Sequence, residues 1–219
     1  EYDNTVEISE QTADAFDLGT GMANQFIFNN TTELSAVHGS DITALLQKAV
    51  DKASENGGGI VKIPEGEFIT GRIMLQSNVV IMGSGSEKTK LLVNIKDEFP
   101  AMQAKTKENI GISNLSVELL NGEECEYYPD MLFSVTGNNI FMTNVNMNLP
   151  QTPRREQKNP RLIPIAVFGD NVIIRDCSFA SYTVGPYIVG NNAVIENNVC
   201  SGTDGKIYSV GNRHIITGN

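Results

Sequence analysis

A short phrase returns along this chain and leaves few folds open to it. It reads NVIIRDCSF at residues 171–179. Copies stand at 109–117 (NIGISNLSV), 139–147 (NIFMTNVNM), 192–200 (NAVIENNVC) and 213–219 (RHIITGN), with NVVIMG at 78–83 as a plausible first copy. Each copy is an apolar strand, then Asn, Asp or Gly, then a second short strand. Strand units that recur every ~20 to 50 residues without intervening helices are the mark of a β-solenoid.

The residue after the first strand sets the spacing. It falls at Gly83, Asn114, Asn144, Asp176, Asn197 and Gly218, with intervals of 31, 30, 32, 21 and 21 residues. One rung therefore takes 21 residues, and the first three intervals carry roughly ten more each. Asn, Asp and Gly tolerate left-handed backbone at a tight turn. Stacked in register, their side-chain amides can also bond from rung to rung. A second strand series precedes the copies: MLFSVTG (131–137), IPIAVFG (163–169), PYIVG (186–190) and KIYSVG (206–211), each ending in Gly before the Asn corner. The reading is three strands per rung, with successive rungs paired in parallel.

Residues 1–38 are polar and aperiodic apart from Phe26, Ile27 and Phe28, and are expected to form an arm along the body. The β-helix domain is expected over 39–219. Its one helix is expected from Ser40 to Asn56, capped by Ser40 or Asp41. Ile42, Leu45, Leu46, Ala49, Val50 and Ala53 form the apolar face, and three glycines at 57–59 end it. A helix in this place suits the role of covering the open first rung.

After the helix the chain reads GIVKIPEGEFITGRIMLQSNVVIMG at 59–83. Helix, triple glycine, a strand ending in Ile-Pro-x-Gly, then Phe-Ile-Thr-Gly and Leu-Gln-Ser-Asn-Val resemble the opening of the pectin-lyase-like right-handed parallel β-helix superfamily. That superfamily includes polygalacturonases, pectate and alginate lyases, alginate epimerases and phage tailspikes. The stretch GSGSEKTKL at 83–91 resembles the lyase and epimerase side more than the polygalacturonase side, and the resemblance covers residues 40–219. It implies an all-β fold, a right-handed parallel β-helix with an N-terminal capping α-helix. It also implies a secreted bacterial carbohydrate-active enzyme acting on an acidic polysaccharide, lyase favoured over hydrolase. The alternative is a non-catalytic carbohydrate-binding or adhesion β-helix, tailspikes included.

Charge bears on partners. The net charge is −10 and the pI is near 4.7, which argues against nucleic acid, whose phosphates need a basic face. No apolar run is long enough to span a membrane. The expected location is secreted, periplasmic or cell-surface. The chain opens on Glu1 without a Met, so a removed leader or a truncation is expected. It stops at Asn219 in mid-rung, so a C-terminal continuation or a second chain is expected over the last rung. Cys125, Cys177 and Cys200 show no metal spacing, and the latter two fall on strand positions as small buried groups.

The three insertions, at 96–101, 121–130 and 150–161, all fall between the Asn/Asp/Gly corner and the next strand series. Loops inserted at one place in successive rungs wall one side of a solenoid. The third carries Arg154, Arg155, Lys158 and Arg161, candidates for binding sugar carboxylates or sulfates. The second offers Tyr127 and Tyr128 for stacking on sugar. Its Glu123, Glu124 and Asp130 are the candidate Ca²⁺ ligands, although no EF-hand-like spacing supports them. No other cofactor is expected.

Two pairs stand 21 residues, one rung, apart. Tyr187 and Tyr208 are expected to face outward as a stacked platform, because the neighbouring column of Phe133, Ile165, Pro186 and Ile207 is more apolar. Arg175 and Glu196 read either as an ion pair between rungs or as a catalytic pair. The resemblance implies carboxylates for a hydrolase, or a Lys or Arg base for a lyase. The aspartate motifs of polygalacturonases are absent. Gly211 stands where a lyase lysine would be expected, with Lys206 nearby. His38 and His214 have no nucleophile partner in the sequence.

Overall fold

The computed structural model describes residues 30–94, 100–120, 131–148, 163–180, 184–201 and 207–219. It also describes the backbone pairing of three short segments before residue 30. The expected solenoid is what the chain forms. A long sheet runs, in order, through Val6–Ser9, Thr31–Leu34, Gly59–Lys62, Val79–Met82, Ile110–Leu119, Ile140–Asn148, Val172–Arg175, Ala193–Glu196 and Ile215–Thr217. Every neighbour pairs in parallel except Val6–Ser9, which lies antiparallel to Thr31–Leu34. A six-stranded sheet stacks Ile73–Met74, Met102–Lys105, Met131–Thr136, Ile163–Phe168, Tyr187–Val189 and Tyr208–Val210, one strand per rung. The third strand of each rung continues the long sheet past a corner, as Gly66–Thr70, Thr89–Val93, Ser178–Ala180 and Val199–Ser201 do. Ile110–Leu119 and Ile140–Asn148 run through that corner unbroken. Parallel pairing thus begins at Thr31, and antiparallel pairing already at Val6, both inside the segment read from sequence as an arm.

The helix spans Thr43–Glu55, shorter at both ends than expected. Ile42 precedes it without a side-chain cap. Asp41 caps it from one residue further out: its Oδ1 accepts the Thr43 N–H at 2.9 Å and the Thr43 hydroxyl at 2.6 Å. Ser40 instead donates its hydroxyl to the Val37 carbonyl. At the other end Gly57 has φ +89°, its N–H reaches Ser54 O, and the Gly58 N–H reaches Ala53 O. That is a Schellman closure, for which a residue without Cβ is the cheapest choice. Leu46, Ala49, Val50 and Ala53 are buried in the same cluster as the inward side chains of the rungs, so the helix closes the core at its first end.

Both corners of the rung depend on left-handed backbone. At the counted corner Asn114, Asn144, Asp176 and Asn197 have φ between 51° and 55°. At the other corner Asn78, Asn109, Asn139, Asn171 and Asn192 have φ between 57° and 62°. Each of these five is the first residue of its phrase. Their amides form a continuous chain, Nδ2 to Oδ1, at 2.6, 2.8, 2.9 and 2.9 Å. Gly83 departs from the turn reading. It is not left-handed; instead a Cβ there would lie 2.2 Å from the Asn114 carbonyl oxygen, so the position has no room for a side chain.

Between the sheets lies one apolar column of core, with Phe68, Phe133 and Phe179 fully enclosed. Cys177 is buried and Cys200 half-buried against that core, as the strand pattern implied. Burial pushes the Cys177 thiol up to about 12 from its usual 9.0.

Two outcomes are expected. Asn171→Ala removes the amide bonds to Asn139 and from Asn192 and leaves an alanine in left-handed backbone. Urea unfolding should show a loss of about 2–4 kcal/mol. Asn171→Gly, free of the backbone strain, should lose about 1 kcal/mol less. The Cys177 thiol acts on stability at high pH. An unfolded thiol ionises near 9.0 and the folded one only near 12, so its contribution is intact below pH 9 and is lost as pH rises from 9 toward 12. The stability gap between wild type and Cys177→Ala should therefore narrow over that window, measured by denaturant unfolding at stepped pH.

Candidate functional site

Strand alternation divides the six-stranded sheet into an inner and an outer face. Phe133, Ile165 and Pro186 are buried and Ile207 is packed half-buried against the core, so this column points inward. The next column, in register through Gln103, Ser134, Ala166, Tyr187 and Tyr208, points outward. Two residues on, Lys105, Thr136, Phe168, Val189 and Val210 form a second outward column. Parallel pairing at one residue per rung puts Tyr187 and Tyr208 directly over one another. Their ring centroids are 4.4 Å apart and their planes differ by 5°, with Phe168 tilted against Tyr187 at 6.0 Å. Tyr208 is 46% exposed. The expected platform forms. Desolvation, and after it the Tyr208 hydroxyl, push the Tyr187 phenol above its ordinary value.

This face is nearly free of charge. Among the described residues of its two outward columns, Lys105 is the one ionisable group other than the tyrosines. In a chain of net charge −10, columns without carboxylates add no local negative charge against an anionic ligand. The attachment points of the insertions stack beside it. Glu118 pairs with Asn148 at the ends of two strands, and Met131 pairs with Ile163 at the starts of the next two. The insertions of residues 121–130 and 150–161 therefore leave and re-enter the solenoid at one edge. Tyr127, Tyr128, Glu123, Glu124, Asp130, Arg154, Arg155 and Lys158 lie outside the described residues, as does Lys206.

Arg175 and Glu196 come together, but not beside the tyrosines. They are register partners on the outer face of the long sheet, with Nε 3.2 Å from Oε1 and side chains 17% and 27% exposed. An arginine and a glutamate paired this way stitch two rungs. Sharing a face with the platform would require them to be on the other sheet.

The structure also shows a pair that sequence reasoning missed. Ser209 and His214 face each other across the last corner, Oγ to Nδ1 at 2.6 Å. The other ring nitrogen, Nε2, lies 2.8 Å from the Gly190 carbonyl, which can only accept. Nε2 therefore carries a proton, and in the neutral imidazole Nδ1 accepts the serine hydroxyl. Ser209 is in register with Ile188, and His214 precedes Ile215, the partner of Val194. Both thus occupy inward positions, and their polar contacts replace apolar packing in that rung. A spacing of five residues across a turn gives no signal that either residue would find the other. His38 is structural: its Nδ1 accepts the Glu67 N–H at 3.1 Å. A surface hollow of about 270 Å³ between Glu33–Ala36 and Pro64 lies on the first rungs, at the other end of the solenoid from the platform. No group of three or more His, Cys, Asp or Glu suited to a metal occurs among the described residues. No helix there is long and apolar enough to cross a membrane.

If Arg175 and Glu196 serve as a stitch, a double-mutant cycle with both alanine variants should give a coupling of about 1 kcal/mol or less, shrinking with added salt.

The geometry has relatives. The chain is 27% identical over 183 residues to alginate lyase 7 of Azotobacter vinelandii, an alignment that takes in 73% of this chain and 20% of that protein. It is 30% identical over 93 residues to the mannuronan C5-epimerase AlgE3 of the same organism, covering 36% of this chain and 5% of the epimerase. It therefore spans a fifth or less of these relatives. The fold superposes on the A-module of the A. vinelandii mannuronan C-5 epimerase AlgE4 with a TM-score of 0.52 at 16% identity, over 77% of this chain and 57% of that one. No family model matches. Parallel rungs, two asparagine corners and this superposition together make the fold a right-handed parallel β-helix.

Proposed function

We propose that this chain is part of a secreted, periplasmic or cell-surface carbohydrate-active protein that acts on an acidic polysaccharide along the outer face of the six-stranded sheet, by elimination rather than hydrolysis. The observation that carries the reading is the Tyr187–Tyr208 stack, set in outward columns whose described residues include no carboxylate. Aromatic faces present a large apolar surface at small entropic cost, and a phenol adds a polar handle. Two relatives named for a lyase and a C5-epimerase support the choice of chemistry. Lyase and C5-epimerase reactions alike begin by removing a proton beside a uronate carboxylate, a step that needs a base and a group to neutralise the acid. The proposed basic groups are Arg154, Arg155, Lys158 and Lys206. Proposed Ca²⁺ ligands are Glu123, Glu124 and Asp130, and the ion would supply charge neutralisation at the carboxylate.

An aromatic platform alone also suits a binding or adhesion module, and one experiment separates the readings. The protein is incubated with a panel of uronate polysaccharides, and the ultraviolet absorbance of unsaturated uronates is followed beside reducing ends. Elimination should raise both, hydrolysis only reducing ends, and a binding module neither while still retaining the glycan. Tyr208→Ala should raise KM, or Kd for a module, by about tenfold, the effect of losing roughly 1–2 kcal/mol of stacking, with kcat little changed. A Tyr208→Ala protein indistinguishable from wild type on every glycan would remove the platform from the site. Loss of activity on chelation, restored by Ca²⁺ and abolished in Glu123→Gln/Glu124→Gln, is the outcome expected of the metal proposal.

A further inference from the structure

The outer face of the six-stranded sheet changes character along the solenoid. Toward its later rungs it is aromatic and aliphatic, with Phe168, Tyr187 and Val189 close together. Nearer its first end it is polar. Gln103 and Lys105 stand on Met102–Lys105, and Ser134 and Thr136 are their register partners on Met131–Thr136. Met102, Ala104, Phe133 and Val135 alternate with them and belong to the core, so all four polar side chains point outward. Lys105 and Thr136 are exposed, and Gln103 and Ser134 are half-buried. Residues two apart on a strand are separated by ~6.7 Å and neighbouring strands by ~4.8 Å, so the four mark out a patch of about 7 by 5 Å. Ile73–Met74 flanks it on one side and Ile163–Phe168 on the other, so the patch lies within the sheet and not at an open rung.

These side chains are uncommitted. Lys62, Lys88 and Lys90 each pair with a glutamate, and the corner asparagines bond to one another. Among the described residues, Gln103, Lys105, Ser134 and Thr136 make no side-chain hydrogen bond or ion pair. Together they present an ammonium, an amide that both donates and accepts, and two hydroxyls. The chain has 26 acidic and 16 basic residues, yet the one charge among the described outward columns of this sheet is positive.

We propose that Lys105, with Gln103, Ser134 and Thr136 beside it, is a subsite for a uronate carboxylate, and that an acidic glycan lies along the solenoid axis from here to Tyr187. The proposal rests on the reading of the tyrosine platform as a glycan site and names the group that selects for acid. A lysine ammonium is a compact point charge that one carboxylate can match, and the amide and hydroxyls suit the sugar hydroxyls beside it. The strands of Lys105 and Tyr187 are three spacings apart, about 14 Å at ~4.8 Å each, a distance one oligosaccharide can bridge. Between Ser134 and Tyr187 that column holds only the buried methyl of Ala166, so no side chain in it rises between the patch and the ring.

The test measures Kd of the full chain by calorimetry for a polyuronate, for the same polymer with its carboxyls reduced to alcohols, and for a sulfated neutral glycan. Wild type should prefer the polyuronate, with an affinity that falls as salt is added. Lys105→Gln should raise Kd for the polyuronate about tenfold, the effect of losing one charge-assisted bond, and flatten the salt dependence. It should leave Kd for the reduced polymer unchanged, and Lys105→Arg should retain most of the polyuronate affinity. Tyr187→Ala should weaken both polymers alike. A wild type that binds no polyuronate would overturn this proposal and the platform reading together. Polyuronate binding weakened by Tyr187→Ala but not by Lys105→Gln would overturn this proposal alone. Equal losses on both polymers in Lys105→Gln would also overturn it, as would tighter, Lys105-dependent binding of the sulfated glycan.

Discussion

One continuous chain of amides, from Asn78 through Asn109, Asn139 and Asn171 to Asn192, holds the rungs of this solenoid in register. A solenoid rung must turn sharply several times, and a turn in left-handed backbone costs about 1–2 kcal/mol for any residue with a Cβ. Glycine would avoid that cost but would contribute nothing between rungs and would loosen the unfolded chain further. Asparagine accepts the strain and offsets it with a side-chain bond to the rung on each side. The ladder also resists slippage, since a shift of one residue would break every amide contact and turn each strand's core residues outward. Where two rungs approach too closely for any side chain, glycine is used instead. A Cβ on Gly169 would lie 1.9 Å from the Gly137 carbonyl, and one on Gly190 the same distance from that of Gly169.

This division of labour explains why the architecture was legible. The asparagines, the glycines and the apolar triplets repeat together, and a repeat of 21 residues already states which residues share a register. The Tyr187–Tyr208 stack was legible for the same reason: identical residues one rung apart must coincide in a parallel solenoid. Gly83 was misread in detail, since composition does not distinguish a glycine needed for its dihedral angle from one needed for its size. The Ser209–His214 pair was not legible at all. It joins two strands of one rung across a corner, and the side chains meet only because both replace apolar groups at inward positions.

A similar change of character runs along the inner corner of the later rungs. Cys177, Asn198 and Asn219 follow at intervals of one rung. Asn198 is buried at 1% exposure, yet both ends of its amide are used: it accepts the Cys177 N–H and donates to the Ile174 carbonyl and the Asn219 amide oxygen. A buried amide satisfied on every side rigidifies a core, whereas one left unmatched would cost about 1–3 kcal/mol. Asn198, Ser209 and His214 thus make the later rungs more specific in their partners than the apolar rungs before them.

The two outer faces differ in a way that bears on function. On the long sheet, the outward column from Ile60 to Val194 is apolar and covered, so it has no surface left to offer a ligand. The columns through Tyr208 and Val210 reach solvent most at that last rung, where each is 46% exposed, and the Tyr187 and Tyr208 rings stack. Arg175 and Glu196 stand two residues along from Ile173 and Val194, at the margin of the covered column. Their partial exposure of 17% and 27% follows from that position. A ligand reaching this pair would have to pass the edge of the covered strip, whereas one reaching Tyr187 and Tyr208 meets them directly, beside the edge from which the insertions spring. Burial therefore separates the two faces. The apolar face adds to the stability of the solenoid, and the aromatic face is where the proposed recognition would take place.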